Sequence, residues 1–456
     1  MLIHRKNCVD QFRQEIAAAG KDDRITIDTY QRLQTAALHG NPDELAGYGY
    51  IVSDEFQYFV DDSGFNFGTD VSFDTIMDSP GNKIFLSATG DMVVDYLREH
   101  YRVEPLVYDL TADLAPGQSN ISSLYFYGSS DVLPELAHET IAGGFKAVFF
   151  IRQAKAAYQL YRKFERYAVF NCSKSNRSGY YKYVDEDRIS RILADQKFDC
   201  QLLITTSCMD AGINLYDPEI RRIVIDGFKD PSVIMQFAGR KRIRADDDKA
   251  DVYIRSYSNQ SLAGQISQTK NALVKADYLK THTVEEYLTE YPREASKDPK
   301  NIVYDERIPG EPDKCTKKVN PVMYYKRQKD IEILNYMINL GEYGFCKYMA
   351  DKFGVATYEV IQRPDTSLVA YLEKIADNPE YVMLQSKDRQ ELIEKIDARS
   401  DGKLIKSLKV LNAVLEDFEL PYQIEQFRIV KTEDGRRKDY KNAWRVVSHD
   451  WNVKTE

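Results

Sequence analysis

The chain has 456 residues, of which 43% are hydrophobic, enough for real cores and for roughly three domains of about 150 residues each. Its formal net charge of −9 argues against strong non-specific binding to duplex nucleic acid, so any such contact must use a local patch or groove. Six scattered cysteines without a C-x-x-C pair argue against a zinc site or a disulfide framework, and no stretch nears the ~18 apolar residues of a membrane span. With no apolar N-terminal run long enough for a signal peptide, the expectation is a cytoplasmic protein.

Strand-like and helix-like runs alternate from the N-terminus at the spacing of a parallel sheet with helices on both faces. Residues 1–107 give a strand, a helix and a second strand, then the apolar run Gly49 to Ser53 ending in Asp54-Glu55. A polar loop follows, then a strand ending Leu86-Ser87-Ala88-Thr89-Gly90 and a helix from Asp91 to His100. This is an incomplete doubly wound domain. Residues 108–262 form a second unit, with strands at Ile121 to Tyr127, Ala147 to Ile151, Ala168 to Phe170, Leu202 to Thr205, Arg222 to Ile225 and Val252 to Tyr257. Its helices are expected at Val132 to Ala142, Ala154 to Glu165, Ile189 to Ala194 and Val233 to Arg242.

Residues 263–330 read as a linker region, because the stretch from Tyr291 through Lys318 is polar and holds Pro292, Pro299, Pro309 and Pro312. Residues 331–456 read as a mainly helical module. It has a helical run from Gln328 to Phe353, two helices within Gln390 to Asp417 separated by Ser400-Asp401-Gly402, and a terminal β-hairpin turning at Asp434-Gly435. The fold class is therefore α/β, with two parallel-sheet domains, the first incomplete, and a helical C-terminal module. The hairpin carries Arg428, Lys431, Arg436, Arg437, Lys438, Lys441 and Arg445, with Trp444 as a ring able to stack on a base; the plainer alternative is a solvated basic tip.

Acids at the C-terminal end of a buried strand fit the crevice where open α/β sheets bind ligands. Asp54 has the chemistry to hold a magnesium ion, and Glu55 to orient and deprotonate a water. Taken alone, such a pair is more often a solvated loop. Further pieces follow in order: Thr205 to Leu215 after the apolar run Leu202-Leu203-Ile204, and Gln236-Phe237-Ala238-Gly239-Arg240-Lys241-Arg242 on an expected helix.

Together these pieces resemble the superfamily 2 helicases of the broad DEAD/DEAH-box type. Asp54 to Gln57 is similar to family motif II, Ser87-Ala88-Thr89 to motif III, Thr206 to Asn214 to motif V, and Gln236 to Arg242 to motif VI. Leu2 to Asn7 and Ile25 to Gln31 are similar to motifs Ia and Ib. The resemblance covers residues 1–260 and implies two RecA-like domains that bind ATP and Mg2+. Asp54 and Glu55 would hold the metal, with Gln57, Arg240 and Arg242 completing the catalytic set, the two arginines as fingers on the transferred phosphoryl. It implies nucleotide contacts from Gly212, Asn214, Gln236 and Gly239, and coupling through Ser87 and Thr89. Arg5, Thr29 and Thr206 would contact one strand of DNA or RNA. Two departures stand out: Asn214 replaces an aspartate common in relatives, and Arg242 falls one position before the commonest site of the second arginine.

No G-x-x-x-x-G-K-[ST] stretch occurs anywhere in the sequence. Gly20-Lys21 follows a helical alanine run and precedes two acids, and Gly143-Gly144-Phe145-Lys146 lacks the hydroxyl after the lysine. Without that loop's amides and lysine, the β- and γ-phosphates have no cradle, so the chain is expected to be inactive alone. Loss of the strand that bears the loop would also expose a sheet edge. A truncated gene, an upstream fragment that supplies the loop, and a degenerate motor are the three explanations. The alternative function is a non-catalytic subunit that binds nucleic acid or protein.

Overall fold

The computed structural model describes residues 1–4, 6–61, 66, 68–109, 120–174, 179–209, 214–243, 248–292, 302–308, 311–361, 368–378, 380–400, 403–417, 420–433 and 436–448. Two compact units emerge, one of residues 1–123, 139–252 and 269–333, the other of residues 124–138, 253–268 and 334–456.

The first unit opens with β1 (Leu2–Ile3), α1 (Lys6–Ala18), β2 (Asp28–Thr29), α2 (Tyr30–Leu38), β3 (Tyr50–Asp54), α3 (Tyr58–Asp61), α4 (Thr69–Asp78), β4 (Asn82–Leu86) and α5 (Asp91–Tyr96). The strands form a parallel sheet in the order β2-β1-β3-β4. Aromatic rings fill its core: Tyr30 stacks on Tyr58 with ring centres 4.8 Å apart, and Phe59 meets Tyr30 and Phe73 edge-on. On β4, however, Ile84 is 42% and Leu86 44% exposed. Strands of an all-parallel sheet are normally covered on both faces. Among the described residues β4 ends the sheet, and Ile84 and Leu86, two positions apart, leave one of its faces partly uncovered.

The second sheet begins with β5 (Ile121–Tyr127), α6 (Leu133–Ala142), β6 (Lys146–Ile151), α7 (Ala154–Lys163), β7 (Ala168–Asn171), α8 (Glu186–Asp195) and β8 (Leu202–Thr205). It continues with β9 (Ile220–Asp226), α9 (Pro231–Gly239) and β10 (Ala250–Arg255). Strands β7 and β8 are buried along their whole length, as expected for near-continuous apolar runs in a parallel sheet. The strand order is β13-β5-β10-β9-β6-β8-β7, with β13 introduced below. The α/β class with two parallel sheets is as expected from the sequence. The helix expected over Val233 to Arg242 instead ends at Gly239, because the next residues bond sideways to the segment after β8.

The stretch read as an extended linker is ordered structure. After α10 (Asn259–Thr281) and α11 (Val284–Glu290), β11 (Val303–Ile308) and β12 (Glu311–Val319) form an antiparallel hairpin that leads into α12 (Pro321–Asn339). Proline at the first position of α12 carries no N–H that the helix would need, which lets the helix start earlier than Gln328. This segment docks on the first sheet domain. Tyr304 donates to the Asp70 carboxylate at 3.0 Å, Asn320 to the Thr69 hydroxyl at 3.1 Å, and Tyr325 to Glu99 at 2.9 Å, while Val322 and Tyr325 join the aromatic core. Polar composition read as a linker therefore belongs to a buried hydrogen-bonded seam.

In the second unit, α13 (Gly344–Lys352) buries Phe345, which meets Phe126 edge-on, and β13 (Glu359–Ile361) pairs in parallel with residues 125–127 of β5. The C-terminal module comprises α14 (Leu368–Ala376), α15 (Gln390–Ile396), β14 (Arg399–Ser400), β15 (Lys403–Leu404), α16 (Leu408–Asp417), β16 (Tyr422–Glu433) and β17 (Arg436–Ser448). Leu372, Leu392, Leu411, Ile424 and Trp444 share its core. The terminal hairpin is as expected, although its Asp434-Gly435 turn and Asp401-Gly402 lie outside the described residues. Trp444 is 4% exposed, so it packs inside and offers no face to a base.

Burial pushes the Asp70 carboxyl up, against the opposing pull of Lys318 and Tyr304, from its ordinary value of 3.8 to about 6. Between those two values the folded chain holds a proton that the unfolded chain has lost, so stability falls as pH rises from 3.8 to about 6. The loss is on the order of 3 kcal/mol. Chemical denaturation across this range should show that fall in the native protein and a flatter profile in Asp70→Asn.

Candidate functional site

Parallel pairing sets Asp54 opposite Leu86, so β3 and β4 leave the sheet side by side at their C-terminal ends. Glu55, the first residue after β3, turns with a φ of 50°, a left-handed conformation that a non-glycine residue adopts at a cost. Two backbone bonds fix the turn: Phe56 N–H donates to the Leu86 carbonyl at 3.1 Å and Tyr58 N–H to the Glu55 carbonyl at 2.9 Å. Side chains then close the gap between the strands. Gln57 donates its amide to the Glu55 carboxylate at 2.6 Å, the Ser87 hydroxyl donates to the Gln57 carbonyl oxygen, and the Thr89 N–H donates to the Ser87 hydroxyl at 2.9 Å. Gln57 is 5% exposed, so this relay is shielded from competing water.

Asp54 is held from behind by Tyr30, whose hydroxyl donates to its backbone carbonyl at 2.8 Å. Burial raises the Asp54 carboxyl above its ordinary range, neighbouring Glu55 raises it further, and the backbone amide of Glu55 works in the opposite sense. No cation pairs with Asp54 among the described residues. Two adjoining carboxylates in that condition are a hard-oxygen donor set, the kind that suits magnesium. The buried Thr89 hydroxyl lacks a hydrogen-bond partner among the described residues.

A second cluster lies on the other parallel sheet. Thr205, the last residue of β8, is buried, and the Thr206 N–H donates to the Asn171 carbonyl at 3.2 Å. Asp210 to Ile213, including Gly212, lie outside the described residues. Leu215 and the residues after α9 are stitched together: Leu215 N–H donates to the Arg240 carbonyl at 2.8 Å, and Arg242 N–H to the Leu215 carbonyl at 2.9 Å. The Arg242 guanidinium also donates to Asn214 at 2.8 Å. Arg240 is 8% exposed and Lys241 is fully buried, with its ammonium on Asp248 and on the Asp217 carbonyl. A buried pair of this kind would be costly to break from one side, and it anchors the strip that carries both arginines.

At the other end of α9, Asp230 caps the helix by accepting from Ser232 N–H at 3.0 Å and from the Lys326 ammonium at 2.8 Å. Burial opposes its charge, but Lys326, the Ser232 amide and Arg327 outweigh that and hold its carboxyl below the ordinary range. Gln236 and Gly239 lie along the same helix, half-buried, and a Cβ at Gly239 would meet nothing within 4 Å. Internal packing therefore gives no reason for glycine there.

The structure thus gathers Asp54, Glu55, Gln57, Ser87 and Thr89 into one cluster, and Asn214, Arg240 and Arg242 into another. Thr29 caps α2 by accepting from Arg32 N–H at 3.1 Å, so its hydroxyl has a structural duty. Arg5 lies outside the described residues. Sequence reading missed Tyr30 and Lys326, whose partners Asp54 and Asp230 lie 24 and 96 residues away, and the Lys241–Asp248 pair, which is near in sequence but carries no local pattern that marks it as buried.

No protein-family model matches the chain, and neither does any curated protein. Among solved structures it is similar to a Dbp5 variant of S. cerevisiae bound to RNA and ADP BeF3, at 17% identity and a TM-score of 0.41, over 56% of this chain and 69% of that one. It is similar to the helicase Lhr of Mycobacterium smegmatis bound to ssDNA and AMP-PNP, at 12% identity and a TM-score of 0.37, over 73% of this chain and 49% of Lhr. A third is the DEAD-box helicase Mss116 bound to ssRNA and UDP-BeF, at 14% identity and a TM-score of 0.37, over 77% and 74%. Lhr and Mss116 are helicases.

Replacing Gln57 by Ala removes the middle of the relay and strands the Ser87 hydroxyl and the Glu55 carboxylate. Urea unfolding should show a loss of about 1–3 kcal/mol, and Ser87→Ala, which keeps the Gln57 to Glu55 bond, should cost less.

Proposed function

We propose that this chain is the core of a superfamily 2 helicase-type ATPase acting on DNA or RNA, with two RecA-like domains. The observation that carries this reading is the Glu55-Gln57-Ser87-Thr89 relay across the ends of two adjacent parallel strands. It ties an acidic pair suited to nucleotide chemistry to the segment that would report on a bound strand.

In this reading Asp54 holds a magnesium ion, directly or through water, and that ion would neutralise charge developing on the transferred phosphoryl. Glu55, oriented by Gln57, accepts the proton of the attacking water. Arg240 and Arg242 lie on the rigid strip after α9, and fixed guanidinium groups there are fit to stabilise an anionic transition state. Gln236, Gly239, Asn214 and Gly212 contact the nucleotide. Ser87 and Thr89 pass its state to a nucleic-acid strand, single rather than duplex in the motor groove, held by Arg5, Thr29 and Thr206. The domain limits 1–107, 108–262 and 331–456 belong to the same proposal, as does a cytoplasmic location.

The phosphate-cradling loop would come from a further polypeptide segment, and the open edge of β4 is where we place its strand. Ile84 and Leu86 are exposed on one face of β4, where the helix that follows such a strand would cover them. A second reading, a non-catalytic binding subunit, draws on the absence of any G-x-x-x-x-G-K-[ST] stretch from the sequence. The purified chain should turn over ATP far below the ~10 s⁻¹ median of enzymes, with or without single-stranded DNA or RNA. Robust turnover abolished by Glu55→Gln would show that no such loop is needed.

A further inference from the structure

The hairpin of β16 and β17 is longer than the core it belongs to. Tyr422, Ile424, Trp444 and Val446 anchor its base, and Ala443, opposite Phe427, is buried. Beyond that pair no described residue of either strand is buried, and residues 428–432 and 437–441 form a two-stranded arm whose described side chains are half-buried or exposed. At ~3.4 Å per residue, the five pairs beyond Phe427 make an arm roughly 17 Å long. A bare two-stranded ribbon adds little stability, so its length calls for a reason outside the core.

Charge supplies one. Between Arg428 and Lys441 the sequence holds six basic and three acidic residues, in a chain whose net charge is −9. Asp439 is already taken by Arg428, through two bonds of 2.9 and 2.6 Å, and at the base Glu425 is taken by Arg445 at 2.8 and 2.9 Å. The register also sets Lys431 directly opposite Lys438, with Thr432 opposite Arg437 one step nearer the turn. Like charges directly opposite on one face destabilise a strand pair.

We propose that this arm is a docking surface for the phosphate backbone of a nucleic-acid duplex. A two-stranded ribbon has the width to enter a major groove, and Lys431, Arg437 and Lys441 would meet phosphates, displacing counterions as they do so. The surface is separate from the nucleotide chemistry and needs no ATP. The lone exposed aliphatic on the arm, Val430, is too little for an apolar partner.

The test uses the full chain without nucleotide and a labelled DNA duplex, over a range of salt. Lys431→Gln, Arg437→Gln and Lys441→Gln combined should weaken binding by about tenfold or more and flatten the slope of log K against log salt by roughly 2 to 3. The triple variant should leave the melting temperature unchanged, whereas a merely structural role would lower affinity and melting temperature together. Unchanged affinity and slope in the triple variant, no duplex binding by the native chain, or tighter capture of polyglutamate than of duplex would each overturn the proposal. Glu55→Gln should leave this binding untouched, so failure of the arm and failure of the ATPase reading are seen separately.

Discussion

Parallel pairing of β3 with β4 is the constraint on which the rest of the site depends. Parallel strands end at the same side of a sheet, and a register that places Asp54 against Leu86 delivers Glu55 and Ser87 as neighbours. Gln57 can then bridge them with its two-sided amide, donating to one and accepting from the other. A slip of one residue would turn every side chain of β3 to the opposite face and dissolve the relay. The left-handed turn at Glu55 has its explanation in the same requirement, since it lets Phe56 bond to the Leu86 carbonyl while the carboxylate stays at the strand end.

Much of the fold was legible because parallel sheets announce themselves. Runs such as Leu202-Leu203-Ile204 and Val148-Phe149-Phe150 are apolar on both faces, and helices with a single apolar face alternate with them. The acidic strand end was legible for the same reason. What the sequence hid were the partners of polar residues. Tyr304, Lys318 and Asn320 sit in a stretch whose prolines and charges suggest a linker, yet they reach Asp70 and Thr69 across more than two hundred residues of chain. Hydrogen bonds at such separation leave no periodic trace, whereas burial does.

The end of α9 shows the same limit at short range. Composition favours a helix through Arg242, but the carbonyl of Arg240 and the amide of Arg242 find partners in Leu215, and a sideways bridge replaces one more helical turn. Lys241 then points inward to Asp248, which leaves the two flanking arginines on a braced strip. Trp444 illustrates the converse error: an aromatic in a basic hairpin suggests stacking, but its place at the arm's base makes it core. The charges meant for a partner lie farther out, where nothing of the module's own core needs them.

The central claim is that the chain holds all but the phosphate cradle of a helicase-type ATPase. It is tested most directly by measuring ATP hydrolysis after adding, fused or separate, a segment made of a strand, a G-x-x-x-x-G-K-[ST] turn and a helix. Turnover should appear with the segment, fall by roughly 10²–10⁴ in Glu55→Gln, and fall again when Arg240 is neutralised. A completed protein that hydrolyses no ATP, or one whose turnover is indifferent to Glu55, would contradict it.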